Sequence, residues 1–386
     1  MNRFTRRDFV RSGLAAGIGI GIAPELLRSA DVARQAPAPA AGTDPYAMVD
    51  PELLAAIKQF PFPTQSFTSE NLSVGRKWLP LPPLPPPAPQ PFERHIPGPS
   101  GAPDLRLVIV DAAPGTKGRP AFLHIHGGGF VTGMAGQFNP VLQAVAQNCG
   151  CLVVSVDYRL APETHFPGSL EDNYAALRWL YKNADELGVD RKRIAIGGES
   201  AGGGHSAMLA IAARDRREIP ILFQLLIYPS LDDRTGSTRE VPPYMGQFVW
   251  NAASNRFGWT SLLGVPAGSP TVPAGAVPAR VENVAGLPPA FIGVGALDLF
   301  VDEDVEYARR LLDAGVPTEL HVIPGAYHGF DVFVPDAAVS KRFTESWMVA
   351  LRRAFAAANT PATVSWNSGK VAATDSPYTE TKGTSR

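Results

Sequence analysis

The chain has 386 residues, with 35 lysines and arginines against 36 aspartates and glutamates, and hence a formal net charge of −1. A nucleic-acid-binding protein usually carries a basic excess, so this balance argues against that class. With 45% hydrophobic and 18% charged residues the chain can bury a large core, and its 38 prolines, about twice the ~5% average, exclude an all-helical bundle.

The first 40 residues resemble an export signal. Residues 5–11 read TRRDFVR, which is similar to the twin-arginine motif, and an uncharged stretch follows in residues 12–24. That stretch is shorter than the ~20 apolar residues of a membrane-spanning helix, and no cysteine is present in residues 1–40 to carry a lipid anchor. We therefore predict a twin-arginine signal peptide over residues 1–40, no stable membrane anchor, and export by the twin-arginine machinery to the periplasm or the medium.

Residues 41–98 are predicted to contain a short helix and a stiff connector. Within residues 46–60, the side chains of Leu53, Leu54 and Ile57 recur on one side of an amphipathic helix. Residues 79–91 read LPLPPLPPPAPQP, and such a run favours extended polyproline II and cannot join a helix or a central strand. In an exported chain we interpret this run as a connector.

Residues 99–358 alternate between apolar runs typical of strands and segments typical of helices. We predict strands at 105–110, 121–125, 151–156, 194–196, 221–228, 290–294 and 318–323, and helices at 141–147, 170–184, 201–214 and 304–314. The alternation indicates an α/β fold with a mostly parallel central sheet flanked by helices. Residues 235–285 interrupt the pattern with proline, glycine and aromatic residues and are predicted to be an inserted cap. The polar residues 359–386 are predicted to be a flexible tail.

The sequence GESAG at residues 198–202 directly follows a predicted strand and precedes a predicted helix. This is the position of a nucleophile elbow, a sharp turn that exposes a serine and requires small neighbours, here mostly glycines. Ser200 is therefore the candidate nucleophile. The N-terminus of the following helix offers backbone N–H groups and a positive dipole to a developing anion.

The sequence HGGGF at residues 126–130 follows the predicted strand 121–125. Three successive glycines leave their N–H groups unobstructed, as in the loop that forms part of an oxyanion hole. We expect His126 to support this loop rather than to react. His124 and His126 lie two residues apart, but no third ligand has a suitable spacing, so we predict no metal site.

An acid and a histidine complete the candidate constellation. Asp298 lies just beyond the predicted strand 290–294, and His328 follows the predicted strand 318–323. Asp302 is the alternative acid, although it could instead cap a helix that begins near residue 304. The order serine, aspartate, histidine along the chain is that of the α/β-hydrolases.

These motifs together resemble those of the hormone-sensitive lipase-like family of α/β-hydrolases, over about residues 100–357. The block DYRLAPE at residues 157–163 with Phe166 and Pro167, and LPPA at residues 287–290, are also similar to family motifs. The resemblance implies that Gly128, Gly129 and the N–H of Ala201 form the oxyanion hole, that Gly127 shapes the loop, and that residues 45–75 and 235–270 form a cap. Two residues depart from the family pattern: Glu199 replaces the commoner Asp, and Phe300 replaces Leu.

The expected function is that of a serine carboxylesterase that hydrolyses short-chain or small carboxylic esters and needs no cofactor. An amidase, peptidase or deacetylase with the same triad is the main alternative, and a non-catalytic ligand-binding relative is another. The cap aromatics Phe248, Trp250 and Trp259 are expected either to line an acyl or alcohol pocket or to pack in the core. An exposed edge strand or the cap could support a homodimer.

Overall fold

The structure is a computed structural model that describes residues 44, 46–59, 66–77 and 89–357. The predicted signal peptide, most of the proline-rich connector and the predicted tail lie outside the described residues. Among the residues that are described, no helix combines the length and the apolar character needed to cross a membrane.

An eight-stranded sheet forms the centre of the fold, in the order β1-β2-β4-β3-β5-β6-β7-β8. The strands are β1 (Phe92–Ile96), β2 (Leu105–Asp111), β3 (Arg119–Ile125), β4 (Leu152–Val156), β5 (Val189–Glu199), β6 (Phe223–Ile227), β7 (Ala290–Gly295) and β8 (Thr318–Ile323). Strand β2 pairs antiparallel with both β1 and β4, and every other neighbouring pair is parallel. The predicted mostly parallel α/β sheet is confirmed.

The helices lie between and around these strands. They are α1 (Pro51–Gln59), α2 (Leu72–Gly75), α3 (Asn139–Cys149), α4 (Gly168–Lys182), α5 (Ala201–Arg216), α6 (Ala252–Leu263), α7 (Val301–Asp313), α8 (Phe330–Phe333) and α9 (Ala338–Ala357). The predicted start of a helix near residue 304 was wrong, because α7 begins at Val301. Helix α6 lies within the predicted insertion. It is capped at its N-terminus by the Asn251 side chain, which accepts from the N–H of Ser254 at 2.9 Å, and at its C-terminus by Gly264 in a left-handed conformation.

Both faces of the central strands β3, β4, β6 and β7 are buried, as expected for parallel strands. Leu123 and Ile125 of β3 pack into the hydrophobic cluster that contains Leu177 of α4. Phe122 of the same strand points to the opposite cluster, which contains Leu53 of α1 and Phe343 of α9. The sheet therefore separates two cores, and α1 is part of one of them.

The loops that carry the candidate residues all begin at the carboxyl ends of the parallel strands, on one side of the sheet. Strands β3, β5, β7 and β8 run parallel, and the glycine loop, Ser200, Asp298 and His328 follow them in turn. In open α/β sheets the carboxyl ends of the strands are where ligands bind. The fold therefore positions the four sequence motifs to meet.

Candidate active site

Ser200 occupies a sharp turn between β5 and α5. Its backbone has φ 58° and ψ −123°, a conformation that non-glycine residues rarely adopt. The Ser200 N–H donates to the carbonyl oxygen of Ile227 at 2.9 Å and holds the turn in place. A Cβ atom on Gly198 or Gly202 would overlap the carbonyl oxygen of Ile125. The small residues of the motif are thus required by the close approach of β3 to the turn.

His328 lies between Ser200 and Asp298. Its Nε2 atom is 2.9 Å from the Ser200 Oγ atom, and its Nδ1 atom is 2.8 Å from the Asp298 Oδ2 atom. The Asp298 Oδ1 atom accepts from the N–H of Phe300 at 3.0 Å. Asp298 has no exposed surface, His328 is 6% exposed and Ser200 is 8% exposed. The structure thus joins the three predicted residues in one hydrogen-bonded chain, which is closed to solvent at Asp298 and slightly exposed at His328 and Ser200.

Asp302, the alternative acid, lies elsewhere. It is an exposed residue in the first turn of α7, and it does not contact His328. It does not act as the helix cap either, because the residue before α7 is Phe300. Of the two acids, the geometry selects Asp298.

Two aromatic rings hold the imidazole of His328. The Tyr228 ring meets it edge-on with centroids 4.9 Å apart, and the Phe300 ring lies at 88° to it with centroids 5.2 Å apart. The Tyr228 hydroxyl donates to the Asp331 Oδ1 atom at 3.0 Å. Phe300, one of the two departures from the family pattern, is therefore a neighbour of His328. Tyr228 was not anticipated, although it lies at the carboxyl end of β6, the strand beside β5.

The glycine loop lies directly beside the nucleophile. A Cβ atom on Gly127 would lie 2.8 Å from the Glu199 carbonyl oxygen and 3.3 Å from the Ser200 Cβ atom. Gly128 and Gly129 have φ values of 119° and 60°, which favour glycine. The loop that was predicted to contribute to an oxyanion hole therefore packs against the serine without intervening side chains.

His126 is buried beneath this loop. Its Nδ1 atom donates to the carbonyl oxygen of Gly127 at 2.8 Å, and its ring stacks on Tyr158 with centroids 4.2 Å apart. Burial lowers the pKa of His126 to about 4, so the imidazole is neutral at physiological pH. This arrangement suits the expected supporting role and leaves the ring away from the reacting groups.

The DYRLAPE block forms the outer support of the loop. The Tyr158 hydroxyl donates to the carbonyl oxygen of His126 at 2.9 Å, and the Ala161 N–H donates to that of Phe130 at 3.0 Å. The Asp157 carboxylate accepts from the N–H of Ala135 at 2.9 Å. In the sequence this block is recognisable only by its resemblance to a family motif. The structure shows that it supports the glycine loop through hydrogen bonds.

Arg76 links the N-terminal segment to the same loop. Its Nε atom donates to the Val131 carbonyl oxygen at 2.8 Å, and its guanidinium forms a two-bond pair with the Glu163 carboxylate at 2.7 and 2.8 Å. The hydrogen bonds from Arg76 lower the pKa of Glu163 to about 2. Sequence reasoning missed Arg76, because its partners lie 55 and 87 residues away along the chain.

Glu199, the other departure from the family pattern, is paired with a buried histidine. Its carboxylate lies 3.0 Å from the His124 Nε2 atom, and the His124 Nδ1 atom lies 2.9 Å from the Ser155 Oγ atom. Within the described part of the chain, no group of three or more histidines, cysteines, aspartates or glutamates is arranged to hold a metal ion. His124 thus ties β3 to β4 and β5 under the nucleophile.

The three cap aromatics have different surroundings. Trp259 has no exposed surface and packs on Phe130 with centroids 4.7 Å apart, so it is a core residue. Phe248 contacts the rings of Tyr46 and Tyr327. Trp250 lies against Gly129, one of the two glycines whose amides are expected to contribute to the oxyanion hole. Of the three aromatics, Trp250 is therefore the candidate for lining a pocket beside the glycine loop.

Comparison with known proteins gives a consistent result. A family profile described as the alpha/beta hydrolase fold matches residues 122–332. Esterase LipI of Mycobacterium tuberculosis is 34% identical over 310 residues, which are 79% of this chain and 94% of that protein. Carboxylesterase NlhH of the same species is 35% identical over 315 residues, covering 79% of this chain and 96% of that protein.

Solved structures of similar fold include further esterases. The structure of a bacterial heroin esterase superposes with a TM-score of 0.74 at 37% identity and covers 81% of this chain and 99% of its own. Esterase LipW from Mycobacterium marinum superposes with a TM-score of 0.68 at 32% identity, covering 80% of this chain and 96% of its own. The similarity extends over nearly the full length of each relative.

Proposed function

The chain belongs to the hormone-sensitive lipase-like family of α/β-hydrolases and is an ester-hydrolysing enzyme, and we propose that it cleaves small carboxylic esters through an acyl-enzyme on Ser200. The observation that carries this proposal is the hydrogen-bonded chain from Ser200 through His328 to Asp298. A serine hydroxyl is a weak nucleophile until an adjacent base accepts its proton. The Nε2 atom of His328, 2.9 Å away, is within reach of that proton.

In the first half-reaction the Ser200 Oγ atom attacks the ester carbonyl carbon while its proton passes to His328. Asp298, which accepts from the Nδ1 side of the ring, fixes the tautomer and stabilises the imidazolium that forms. The carbon–oxygen bond to the alcohol then breaks, and His328 returns the proton to the departing alkoxide. The product alcohol leaves, and the acyl group stays on Ser200.

The negative charge on the tetrahedral intermediate is assigned to the amides of Gly128, Gly129 and Ala201. Ala201 is the first residue of α5, so its N–H belongs to the positive end of that helix. One donor of this kind is typically worth about 2.7–4 kcal/mol of transition-state stabilisation. Gly127 and His126 keep the loop in its position against the serine.

In the second half-reaction a water molecule gives a proton to His328 and attacks the acyl carbon. Collapse of the second tetrahedral intermediate breaks the acyl–serine bond, and His328 returns the proton to Ser200. The carboxylic acid is released and the enzyme regains its starting state. The chemistry is carried by side chains and backbone amides alone, so the proposal includes no metal or organic cofactor.

The burial of the site supports a small substrate. Ser200 is 8% exposed and His328 is 6% exposed, so an ester has to enter a confined space before the two residues can act on it. Residues of the N-terminal segment and of the insertion meet close by, where the rings of Phe67 and Trp250 have centroids 5.7 Å apart. We take these rings as part of the boundary of that space.

The proposal is tested by comparing an ester with its matched amide. Purified wild-type protein is expected to hydrolyse p-nitrophenyl acetate and to act far more slowly on p-nitroacetanilide, and Ser200→Ala is expected to lose ester turnover. A circular dichroism spectrum of Ser200→Ala controls for folding. If the protein hydrolyses the anilide faster than the ester, the amidase alternative is favoured instead. If Ser200→Ala hydrolyses the ester as fast as wild type does, the mechanism is excluded.

We also propose that residues 1–40 direct export. The support is the motif at residues 5–11, with its arginine pair Arg6 and Arg7. In a bacterium with a twin-arginine translocase, the full chain is expected to carry its esterase activity to the periplasm or medium. The double variant Arg6→Lys, Arg7→Lys is expected to keep the activity in the cytoplasm, and equal export of both proteins would contradict the proposal.

A further inference from the structure

A small hydrophobic cluster, distinct from the two main cores, lies beside the active site and contacts His328 through Phe300. Its buried members are Trp250, Leu299 and Phe300, and the partly buried Phe67, Val241 and Ala252 pack against them. We call these six residues the site cluster. It joins the N-terminal segment, the insertion and the loop that carries Asp298. Its position makes it a candidate for bounding the space in which the substrate lies.

Within the site cluster, Trp250 is the residue that contacts the oxyanion loop. A Cβ atom on Gly129 would overlap the Cη2 atom of Trp250 and would lie 2.6 Å from its Cζ2 atom and 3.0 Å from its Cζ3 atom. The six-membered ring of the indole therefore lies directly against Gly129. The indole is therefore a wall on one side of Gly129.

Several contacts fix the orientation of that wall. The indole Nε1–H donates to the Asn255 Oδ1 atom at 3.3 Å, and the Asn255 side-chain amide donates to the Thr235 carbonyl oxygen at 2.9 Å. The Phe67 ring lies on the indole with centroids 5.7 Å apart, and the Phe67 N–H donates to the Ser254 Oγ atom at 3.1 Å. Because Trp250 is 7% exposed, swinging it aside would disrupt packing on several sides.

Whether the acyl or the alcohol part of the ester faces this wall can be argued from the proton transfer to the leaving alcohol. The leaving oxygen must face the Nε2 atom of His328 to receive its proton. The acyl group, attached to the same carbonyl carbon, then extends away from His328. Phe300 is the member of the site cluster that contacts His328, whereas Trp250 contacts Gly129. This difference in contacts favours the acyl side for Trp250.

We propose that Trp250 sets the upper limit on acyl-chain length, so that acetyl and similarly short groups fit and long chains are excluded. The proposal rests on the acyl-enzyme function above and adds the residue that defines the substrate class. Each extra methylene that a pocket wall excludes or admits changes specificity on the order of tenfold or more. Replacing the indole by a methyl group is expected to open space for several methylenes.

The test compares kcat/KM for p-nitrophenyl acetate and p-nitrophenyl octanoate in wild type, Trp250→Ala and Trp250→Leu. We expect the octanoate-to-acetate ratio to rise by at least about tenfold in Trp250→Ala and by less in Trp250→Leu. Trp179→Ala, which removes a half-buried tryptophan of α4 outside the site cluster, is the control and should leave the ratio unchanged. Trp250→Leu, which keeps an apolar side chain, gives the test if Trp250→Ala fails to fold.

A second substrate series assigns the side. In this series the acetyl group is held constant and the alcohol is lengthened from ethyl to octyl. The ratio of kcat/KM for octyl acetate to that for ethyl acetate is expected to be the same in the Trp250 variants as in wild type. Variants that hydrolyse acetate with an unchanged acyl preference would overturn the inference while the proposed function stands. A change in the alcohol series alone would also overturn it. Absence of ester turnover in wild type would instead contradict the proposed function.

Discussion

The Phe300 ring stands edge-on to the imidazole of His328, with centroids 5.2 Å apart and an angle of 88° between the planes. The N–H of the same residue donates to the Asp298 carboxylate. Phe300 thus contacts both the base and the acid of the proposed triad, one through its side chain and one through its backbone. A residue that departs from the family pattern is in this way part of what orients the histidine.

Phe300→Leu is expected to lower kcat several-fold while KM changes little. Leucine keeps the backbone bond to Asp298 but removes the aromatic edge that restrains His328, so fewer molecules hold the histidine in line with Ser200. Steady-state kinetics on p-nitrophenyl acetate measure the effect. The free energy of unfolding should fall by about 1–2 kcal/mol, because leucine leaves part of the volume of the buried Phe300 ring unfilled. Unchanged kcat would remove Phe300 from this role.

Tyr158→Phe is expected to lower kcat by about tenfold, less than the roughly 10²-fold or more that loss of a whole oxyanion-hole donor costs. The variant keeps the stack on His126 but loses the hydroxyl that donates to the His126 carbonyl oxygen, and the glycine loop loses one of its anchors. Tyr174→Phe is the matched control, since that hydroxyl donates to Glu218, a residue of the protein surface. Equal kinetics in the two variants would show that the loop does not depend on this bond.

Asp331→Asn is expected to stabilise the protein above pH 6. Burial raises the pKa of Asp331 to about 6 from an ordinary value near 3.8, and the nearby Glu199 carboxylate also contributes. A group whose pKa is raised in the folded state stabilises the fold fully at pH values below its pKa in the unfolded state. This stabilisation is lost as the pH rises through the folded-state pKa of about 6. Asparagine can still accept from Tyr228.

Thermal melting of wild type and Asp331→Asn from pH 4 to pH 8 measures this difference. The Tm of the variant relative to wild type should increase across the interval between pH 4 and pH 7. Asp336→Asn, which alters an almost fully exposed carboxylate, should show no such trend. A Tm difference that is independent of pH would contradict the assignment of the raised pKa to Asp331.

Asp304→Ala is expected to raise the free energy of unfolding by about 1–3 kcal/mol with little change in kcat. The Asp304 carboxyl has no exposed surface, and neither oxygen has a hydrogen-bond partner among the described residues. Burial, together with the carboxylates of Glu303 and Asp298, raises its pKa well above the ordinary value. Urea unfolding at pH 7.5 measures the effect, and a destabilised variant would imply that Asp304 is satisfied by a bound water or another group.

The sequence predicted seven of the eight strands and the three residues that the structure brings together as a candidate triad. Ser200 and Asp298 each follow an apolar strand segment, and the small residues around Ser200 and His328 make their motifs recognisable. Strand β1 was not predicted, because four of its five residues are exposed and its sequence, FERHI, lacks an apolar run. Helix α6 was hidden by the irregular composition of the insertion around it.

Residues that act through long-range contacts could not be predicted. Arg76 reaches the glycine loop from a segment with no motif of its own, and Tyr228 reaches His328 from the end of a different strand. The sequence could not distinguish the roles of the three cap aromatics, because an aromatic residue that lines a pocket and one that packs in the core look the same in sequence. Only the fold places Trp250 on Gly129 and Trp259 in the core.

The central claim is that Ser200 forms a covalent acyl-enzyme, and intact-protein and peptide mass spectrometry after a rapid acid quench tests it most directly. With p-nitrophenyl butyrate, we expect one butyryl group per chain on the peptide that contains Ser200, and none on Ser200→Ala. Under the same conditions His328→Ala should accumulate no adduct, because the serine is not activated. An adduct on another residue, or steady ester turnover by Ser200→Ala with no adduct, would contradict the mechanism.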